Sequence, residues 1–255
     1  KAPVQSRVMS LPILYSLRNC PYAMRARIAI FKSEQPVALR DLVLSNKPPE
    51  MLLASPKGTV PVIVLGSDNE SASNAASDLA SGIENSSEDK SASAMQGEVI
   101  DESRDIMLWA LRRGDPHNLL QSDQPEALPE MLAFIDEFDV EFKQRLEAYK
   151  CAKRYHETNI DECRAACEHY IKMLELRLTE HNYLMSAHES LLDIALLPFI
   201  RQFARIERQW YLQSPYPHVK EWLNRYLQSP MFTKVMAKYP LWLDRKEEII
   251  YVGGK

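Results

Sequence analysis

The hydrophobic pattern of the chain changes near its middle, and this change restricts the folds that the chain can adopt. Up to Arg113, short apolar or alternating runs typical of strands are separated by amphipathic stretches typical of helices. After Pro125, apolar residues recur at the three- and four-residue spacing of helices almost to the end. The pattern therefore predicts an α/β layer on a small sheet, followed by a helical bundle.

The first half predicts strand–helix–strand, then strand–strand–helix, and the second half predicts helices only. Strands are predicted over 13–17, 37–44, 60–65 and 98–100, helices over 22–32 and 103–113, and a short helix or turn over 48–54. Helices are also predicted over 128–146 and 160–178, from Ser190 onward, over 218–227 and over 231–238. Ser190 and Asp193 have the capping-box form, with aspartate in place of glutamate, and this signal is structural.

A serine-rich segment interrupts the first half. Nine serines lie between Ser67 and Ser93, with no aromatic residue among them. Such a segment cannot bury enough apolar surface to offset its ordering entropy, so we expect a mobile excursion over 67–96 without a role of its own. The predicted domains are 1–113 with this insertion, a linker over 114–125, and an all-helical domain over 126–255.

Composition excludes several classes of protein. The net charge of −4 over 255 residues, without a basic stripe, argues against nucleic acid as a partner. No apolar run is long enough for a membrane span, and the N-terminal segment lacks the apolar core of a signal peptide. Four cysteines do not make a disulfide framework, so a cytoplasmic protein is expected. Cys163 and Cys167 share an apolar helix face, which favours core packing over a metal site.

Cys20 lies at the predicted junction between the first strand and the first helix. Pro21 follows in the first helical turn, where its missing N–H costs nothing. The N-terminal end of a helix favours negative charge, and the thiolate is the reactive form of cysteine. A reactive thiol is therefore predicted, with an ordinary half-buried thiol as the alternative. Arg18, Arg25 and Arg27 are expected to form a solvated helix face.

Two further places combine features of a binding site. Pro61 lies in a predicted strand, although proline cannot donate to a strand ladder. One solution is a cis peptide after Val60, and the other is an edge strand that begins at Pro61. Before the last helix of this half, Glu102 can hold an ammonium group, and the free N–H groups near Ser103 can bind a carboxylate. A small zwitterion fits this pair, and helix capping alone is the alternative.

These features, in this order, resemble the cytosolic glutathione transferase superfamily, and among its classes the cysteine-type ones, most of all omega. The resemblance extends over nearly the whole chain apart from the serine-rich segment. It implies a thioredoxin-like α/β N-terminal domain, an all-helical C-terminal domain and a homodimer. The motifs that carry it are Cys20-Pro21-Tyr22-Ala23, Asn46-Lys47-Pro48, Gly58-Thr59-Val60-Pro61-Val62, Glu102-Ser103 and Ser190-Leu191-Leu192-Asp193-Ile194-Ala195.

The resemblance also implies a glutathione site, with glutathione as co-substrate and no metal. Cys20 would be the catalytic residue, its sulfur facing the glutathione sulfur. Lys47 would approach the glycyl carboxylate, and Tyr22 would line the site.

In the same site, the backbone of Val60, before a cis Pro61, would pair with the cysteinyl part of glutathione. Glu102 and Ser103 would hold the γ-glutamyl end.

Ala23 stands where a dithiol enzyme would carry its second cysteine, so Cys20 cannot close a disulfide across the motif. The leading hypothesis is therefore thiol transfer or deglutathionylation, in which Cys20 forms a mixed disulfide with a small or protein substrate and glutathione releases it. Conjugation of glutathione to electrophiles is the alternative, favoured if Tyr15 or Ser16 faces the site. A non-catalytic interaction module with this fold is the second alternative.

Overall fold

Five strands in the described residues form one mixed sheet, in the order β4-β3-β1-β2-β5. The structure is a computed structural model that describes residues 10–66 and 97–254. The strands are β1 (Ile13–Ser16), β2 (Val37–Asp41), β3 (Val62–Val64), β4 (Val99–Ile100) and β5 (Ile249–Tyr251). Strand β1 is parallel to β2 and antiparallel to β3, and the remaining pairs are antiparallel. The serine-rich segment 67–96 lies outside the described residues.

The helices follow the predicted order. They are α1 (Pro21–Ser33), α2 (Pro49–Ala54), α3 (Ser103–Arg113), α4 (Ala127–Arg154), α5 (Ile160–Glu180), α6 (Leu191–Ile206), α7 (Arg208–Gln213), α8 (Pro217–Leu227), α9 (Pro230–Val235) and α10 (Trp242–Arg245). Helices α7 and α10 were not predicted, because six and four residues are too short to show a helical period. The mixed sheet with helices, followed by a mostly helical part, confirms the predicted fold class.

One apolar core runs from the sheet into the helical part. Helix α1 packs against α3 on one side and against α6 on the other. Ile28 of α1, Met107 of α3 and Phe138 of α4 are all fully or almost fully buried in this core. Because α1 carries Cys20 at its N-terminal end, the packing of α1 fixes the position of the thiol relative to both halves.

The capping box at the start of α6 is confirmed. The backbone N–H of Ser190 donates to Asp193 Oδ2 at 3.0 Å, and Asp193 is fully buried. Its other oxygen accepts from the backbone N–H of Leu184 and from the indole N–H of Trp222, both at 2.9 Å. Asp193 therefore joins the start of α6 to the loop before it and to α8.

The last strand, β5, was not predicted, since residues 126–255 were expected to be helical. Ile250 pairs with Ala38, so the C-terminal segment returns to the first half and covers the edge of β2. Tyr251 is 3% exposed, and its hydroxyl donates to the backbone carbonyl of Arg27 at 3.0 Å. A run of three residues has no period that distinguishes it from the end of a helix, so only tertiary pairing identifies it. The domain boundaries at 113 and 126 stay a prediction.

Candidate active site

Cys20 is the residue before the first turn of α1, where the backbone is still extended (φ −75°, ψ 122°). Its carbonyl accepts from the N–H of Met24 at 2.8 Å, which closes the first turn. Its side chain is partly exposed, and Sγ lies 4.0 Å from the carbonyl oxygen of Val60. The thiol is thus at the N-terminal end of a helix, where the unpaired N–H groups favour negative charge.

A cavity of about 540 Å³ lies between α1, the loop before β3, the start of α3 and the middle of α4. Cys20 does not line it, but the carbonyl of Val60, which lies 4.0 Å from Cys20 Sγ, belongs to a lining residue. Five of the predicted glutathione-binding residues line it, namely Tyr22, Val60, Pro61, Glu102 and Ser103. Residues that lie about 80 positions apart in the sequence thus meet in one site. Its volume is within the ~300–1,000 Å³ typical of small-molecule sites.

The peptide bond between Val60 and Pro61 is cis, which confirms the first of the two solutions considered for this strand. Val60 precedes β3 and is 9% exposed, and its carbonyl points toward Cys20 Sγ. Strand β3 begins only at Val62. The backbone of Val60 is therefore outside the sheet ladder and open to a ligand in the cavity.

Glu102 is already paired within the chain. It is the residue before the first turn of α3, and its Oε1 accepts from Lys57 Nζ at 2.6 Å. Lys57 also lies 3.3 Å from Asp101, which accepts in turn from the Ser55 hydroxyl at 2.8 Å. The hydrogen bond from Ser55, together with Lys57, lowers the pKa of Asp101. The sequence analysis did not identify Lys57 as a site residue. Its position four residues before Pro61, in the loop that leads to the site, could have indicated it.

Ser103 is linked to two other elements through a buried arginine. Its hydroxyl accepts from Arg25 Nε at 2.9 Å, and the two terminal nitrogens of Arg25 donate to the carboxylate of Asp139 at 2.9 and 2.6 Å. Arg25 is 1% exposed, so the expectation of a solvated face around Cys20 is wrong for this residue. It is also wrong for Arg27, which is 1% exposed and donates to the backbone carbonyls of Arg18 and Val235. These guanidinium groups can be buried because each of their nitrogen atoms donates to at least one oxygen.

Helix α4 supplies a cation that the sequence analysis did not identify. Lys143 lines the cavity, and its Nζ lies 5.2 Å from the centre of the Tyr22 ring. Among the described residues it makes no ion pair with a carboxylate, whereas Arg25, Lys57 and Arg104 of the same cavity all do. Lys143 lies one helical turn after Asp139, so the two charged side chains share one face of α4. This pair of charges beside the apolar stripe was the sequence feature from which Lys143 could have been identified as a candidate site residue.

Lys47 does not line the cavity. Its Nζ lies close to Gly58, where an added Cβ would come within 3.1 Å of it. Gly58 has φ of +64°, a left-handed conformation that favours glycine. The contact of Lys47 with a glycyl carboxylate stays a prediction.

Tyr15 and Ser16 do not line the cavity either. The Tyr15 hydroxyl accepts from Arg40 at 3.0 Å, and burial raises the pKa of this phenol. The Ser16 hydroxyl is fully buried and accepts from Arg27. The condition stated for the conjugation alternative, that one of these hydroxyls faces the site, is not met in this structure.

The remaining cysteines are separate from the site. Cys167 is fully buried in the core, and burial raises the pKa of its thiol to about 12. Cys163 packs against the same core, which confirms core packing for this pair. Within 10–66 and 97–254, no group of three or more His, Cys, Asp or Glu residues is arranged to hold a metal ion. No helix in that part of the chain is long and apolar enough to cross a membrane.

The first half of the chain is a thioredoxin-like layer with a cysteine at the start of its first helix and a cis-proline loop opposite. Helices follow it, and this combination defines a class of proteins built in two parts. Two family models match the sequence. The model for the glutathione S-transferase N-terminal domain matches residues 14–78, and the model for the C-terminal domain matches residues 157–225. Together they match a little over half of the chain. The chain belongs to the glutathione transferase superfamily.

Solved structures support the same fold. A glutathione transferase family member from Pseudomonas fluorescens, with two glutathione bound, is 16% identical with a TM-score of 0.67, covering 91% of this chain and 95% of its own. Glutathione transferase Omega 3C from Trametes versicolor is 17% identical with a TM-score of 0.68, covering 94% and 90%. A glutathione S-transferase-I bound with lactoylglutathione is 19% identical with a TM-score of 0.64, covering 89% and 99%. A search of curated protein sequences found no significant match.

Proposed function

We propose that this chain is a glutathione-dependent thiol transferase that removes glutathione from mixed disulfides through Cys20. The observation that supports the proposal most is the distance of 4.0 Å between Cys20 Sγ and the carbonyl oxygen of Val60, a residue that lines the cavity. Val60 pairs with the cysteinyl part of glutathione in the proposal, so the two sulfur atoms would face each other. The hydroxyls of Tyr15 and Ser16 already accept from Arg40 and Arg27, which favours a role for the thiol itself.

The proposed reaction has two thiol–disulfide exchanges. The Cys20 thiolate attacks the glutathione sulfur of a glutathionylated substrate, forms a disulfide with glutathione and releases the substrate as a thiolate that takes up a proton. A second glutathione, as its thiolate, then attacks the glutathione sulfur bound to Cys20. The products are oxidised glutathione and the Cys20 thiolate, so the electrons come from glutathione and no other reductant is needed.

Glutathione would be held by charges at both of its ends. The γ-glutamyl ammonium would take the carboxylate of Glu102, in exchange for Lys57. The γ-glutamyl carboxylate would meet the N-terminal end of α3 at Ser103. For the glycyl carboxylate we propose Lys143, because it lines the cavity without an ion-pair partner in the described part of the chain. The omega-like subtype, a homodimer and a cytoplasmic location belong to the same proposal and rest on the resemblance of the motifs.

The experiment is treatment of the protein with oxidised glutathione followed by mass spectrometry of its peptides. We expect one glutathione adduct, on Cys20, and its loss in Cys20→Ser. The matched control is Cys151→Ser, because Cys151 is exposed but lies near the C-terminal end of α4, where the dipole does not favour a thiolate.

Activity is then measured as glutathione-dependent reduction of a glutathionylated peptide. Cys20→Ser should abolish it, and Cys151→Ser should leave it unchanged. Full activity of Cys20→Ser would overturn the proposal. Conjugating activity that persists or rises in Cys20→Ser would favour transfer of glutathione to electrophiles instead.

A further inference from the structure

A second and larger cavity lies among the helices of the second half of the chain. Its volume is about 670 Å³, and α6, α7, α8 and α9 form its walls. Four cationic side chains line it: Arg201, Arg205, Arg208 and Lys220. None of the residues that line the glutathione cavity lines this one. We call it the arginine groove.

The carboxylates near the arginine groove are paired elsewhere. Glu207 lies between Arg205 and Arg208 in the sequence, but its Oε1 accepts from Arg164 and from the Tyr149 hydroxyl, both at 2.7 Å. Glu221 lines the groove and lies 3.5 Å from Arg225.

Among the described residues, Arg201, Arg205 and Arg208 make no ion pair and no side-chain hydrogen bond to the protein. Lys220 donates only to backbone carbonyls, those of Leu212 and Ser214. The groove therefore presents a clear excess of positive charge.

The positive charges are concentrated around an apolar floor. Leu223 and Phe232 are 3% and 9% exposed, and Arg201 lies 5.6 Å from the centre of the Phe232 ring. Tyr211 also lines the floor, and its buried hydroxyl has no hydrogen-bond partner within the described residues. A ligand with a flat apolar part and a donor or acceptor for this hydroxyl would satisfy both features.

A smaller cavity of about 250 Å³ shares Arg201 and Arg205 with the groove and ends at Asn19, the residue before Cys20. Lys150 lines it too, although its Nζ lies 3.1 Å from Glu147. The pKa of Arg201 is lowered, first by burial and then by the positive charges of Arg205 and Arg18. Arg18 therefore adds to the positive charge around Arg201. Charges that repel one another in this way are stabilised by a bound anion.

We propose that the arginine groove binds a small phosphate ester with an aromatic or other flat apolar part. Guanidinium groups match phosphate oxygens in pairs, and a phosphate monoester carries up to two negative charges against the excess cations of the groove. A single carboxylate would neutralise only one of them. The flat part would lie on Leu223 and Phe232, with Tyr211 at its edge. The proposal does not depend on glutathione or on Cys20.

The test is isothermal titration calorimetry of the full chain with 1-naphthyl phosphate, inorganic phosphate and phthalate, which is an aromatic dicarboxylate. We expect 1-naphthyl phosphate to bind with one site per chain, about tenfold more tightly than inorganic phosphate because it also buries its rings. Phthalate should bind more weakly than 1-naphthyl phosphate. The double variant Arg205→Gln/Arg208→Gln should weaken this binding about tenfold or more, because two charged hydrogen-bond donors are lost.

The matched control is Arg112→Gln, an exposed arginine on α3 that lines neither cavity. Arg205 and Arg208 are exposed as well, so the variants should unfold at the temperature of the unaltered protein. Saturating glutathione should leave the affinity for 1-naphthyl phosphate unchanged. Three results would overturn the proposal: no binding of 1-naphthyl phosphate, equal weakening by Arg112→Gln, or displacement by glutathione. Phthalate binding as tight as 1-naphthyl phosphate would overturn the assignment to phosphate.

Discussion

Lys57 Nζ donates a hydrogen bond of 2.6 Å to Glu102 Oε1, so the chain itself neutralises the carboxylate proposed to hold the ammonium group of glutathione. Burial alone would lower the pKa of Lys57, but the hydrogen bond and charge of Glu102, with those of Asp101, raise it. Both side chains are largely exposed, which makes the pair weak and exchangeable. Glutathione must displace this lysine to reach Glu102.

The first prediction concerns this exchange. Lys57→Met removes the internal competitor, and we expect the affinity for glutathione to rise about threefold, the value of one exposed ion pair. Glu102→Gln removes the carboxylate and should lower the affinity about tenfold. Calorimetric titration with glutathione measures both. Weaker binding by Lys57→Met would mean that Lys57 itself contacts glutathione.

The second prediction distinguishes two lysines. Lys143 lines the cavity, whereas Lys47 does not line it and lies close to Gly58. Lys143→Met should therefore weaken glutathione binding about tenfold, because a charged partner of a carboxylate is lost. The same substitution at Lys47 should change it little. The opposite order in the titrations would restore the role that the sequence resemblance implies for Lys47.

The third prediction concerns the buried ion pair of Arg25 and Asp139. Arg25→Met leaves Asp139 without its partner and Ser103 without its donor, and we expect a loss of about 3 kcal/mol in the free energy of unfolding. Arg104 of α3 and Asp136 of α4 form a similar pair with two hydrogen bonds, but with side-chain exposures of 32% and 53%. Arg104→Met should cost less than ~1 kcal/mol.

Urea unfolding measures both variants of that pair. Equal losses would show that burial does not determine the strength of these pairs. The double variant Arg25→Met/Asp139→Leu should recover part of the loss, because no buried charge is then left unpaired.

The fourth prediction is a pH dependence of stability. Asp41 is 5% exposed, and its Oδ1 has no hydrogen-bond partner in the described residues. Burial raises the pKa of Asp41 to about 6, and Arg27 and Arg18 offset this only in part. Between the unfolded value of about 4 and this native value, the native state binds more protons, so stability falls as the pH rises.

Asp41→Asn removes this titration at nearly constant shape. We expect the variant and the unaltered protein to have similar stability near pH 4. Above pH 6 the variant should be more stable by about 2–3 kcal/mol. Thermal or urea unfolding between pH 4 and pH 7 measures the difference. A difference that is constant over this range would show that Asp41 has an ordinary pKa in the native protein.

The fifth prediction concerns the C-terminal strand. Tyr251→Ala should cost about 3 kcal/mol in the free energy of unfolding, because a buried ring and its hydrogen bond to the Arg27 carbonyl are lost. Val252→Ala, at a neighbouring position that is 50% exposed, should cost less than ~0.5 kcal/mol. Urea unfolding monitored by tryptophan fluorescence measures both. Equal and small effects would indicate that β5 does not stabilise the sheet.

Local patterns in the sequence were sufficient for most of the elements and for part of the site. Helix α3 was predicted to the residue, and the cis peptide before Pro61 is one of the two solutions that a proline inside a strand pattern left open. The capping box of Ser190 and Asp193 is a contact over three residues, so it too is visible locally. These features depend on backbone sterics and on contacts between neighbours in the chain, so a short run of consecutive residues is enough to predict them.

The tertiary structure decided which charged groups meet. The pairs Arg25–Asp139 and Lys57–Glu102 join residues that are 114 and 45 positions apart, and β5 pairs with β2 of the first half of the chain. Sequence periodicity does not predict such contacts, because the electrostatic energy of a charged group depends on its burial and on the partner that the fold brings close to it. For the same reason the sequence did not identify Lys143 as a residue that lines the cavity. The sequence by itself determined most of the elements and the cysteine at the first helix, and the packing of α1 against α3 and α6 decided what surrounds it.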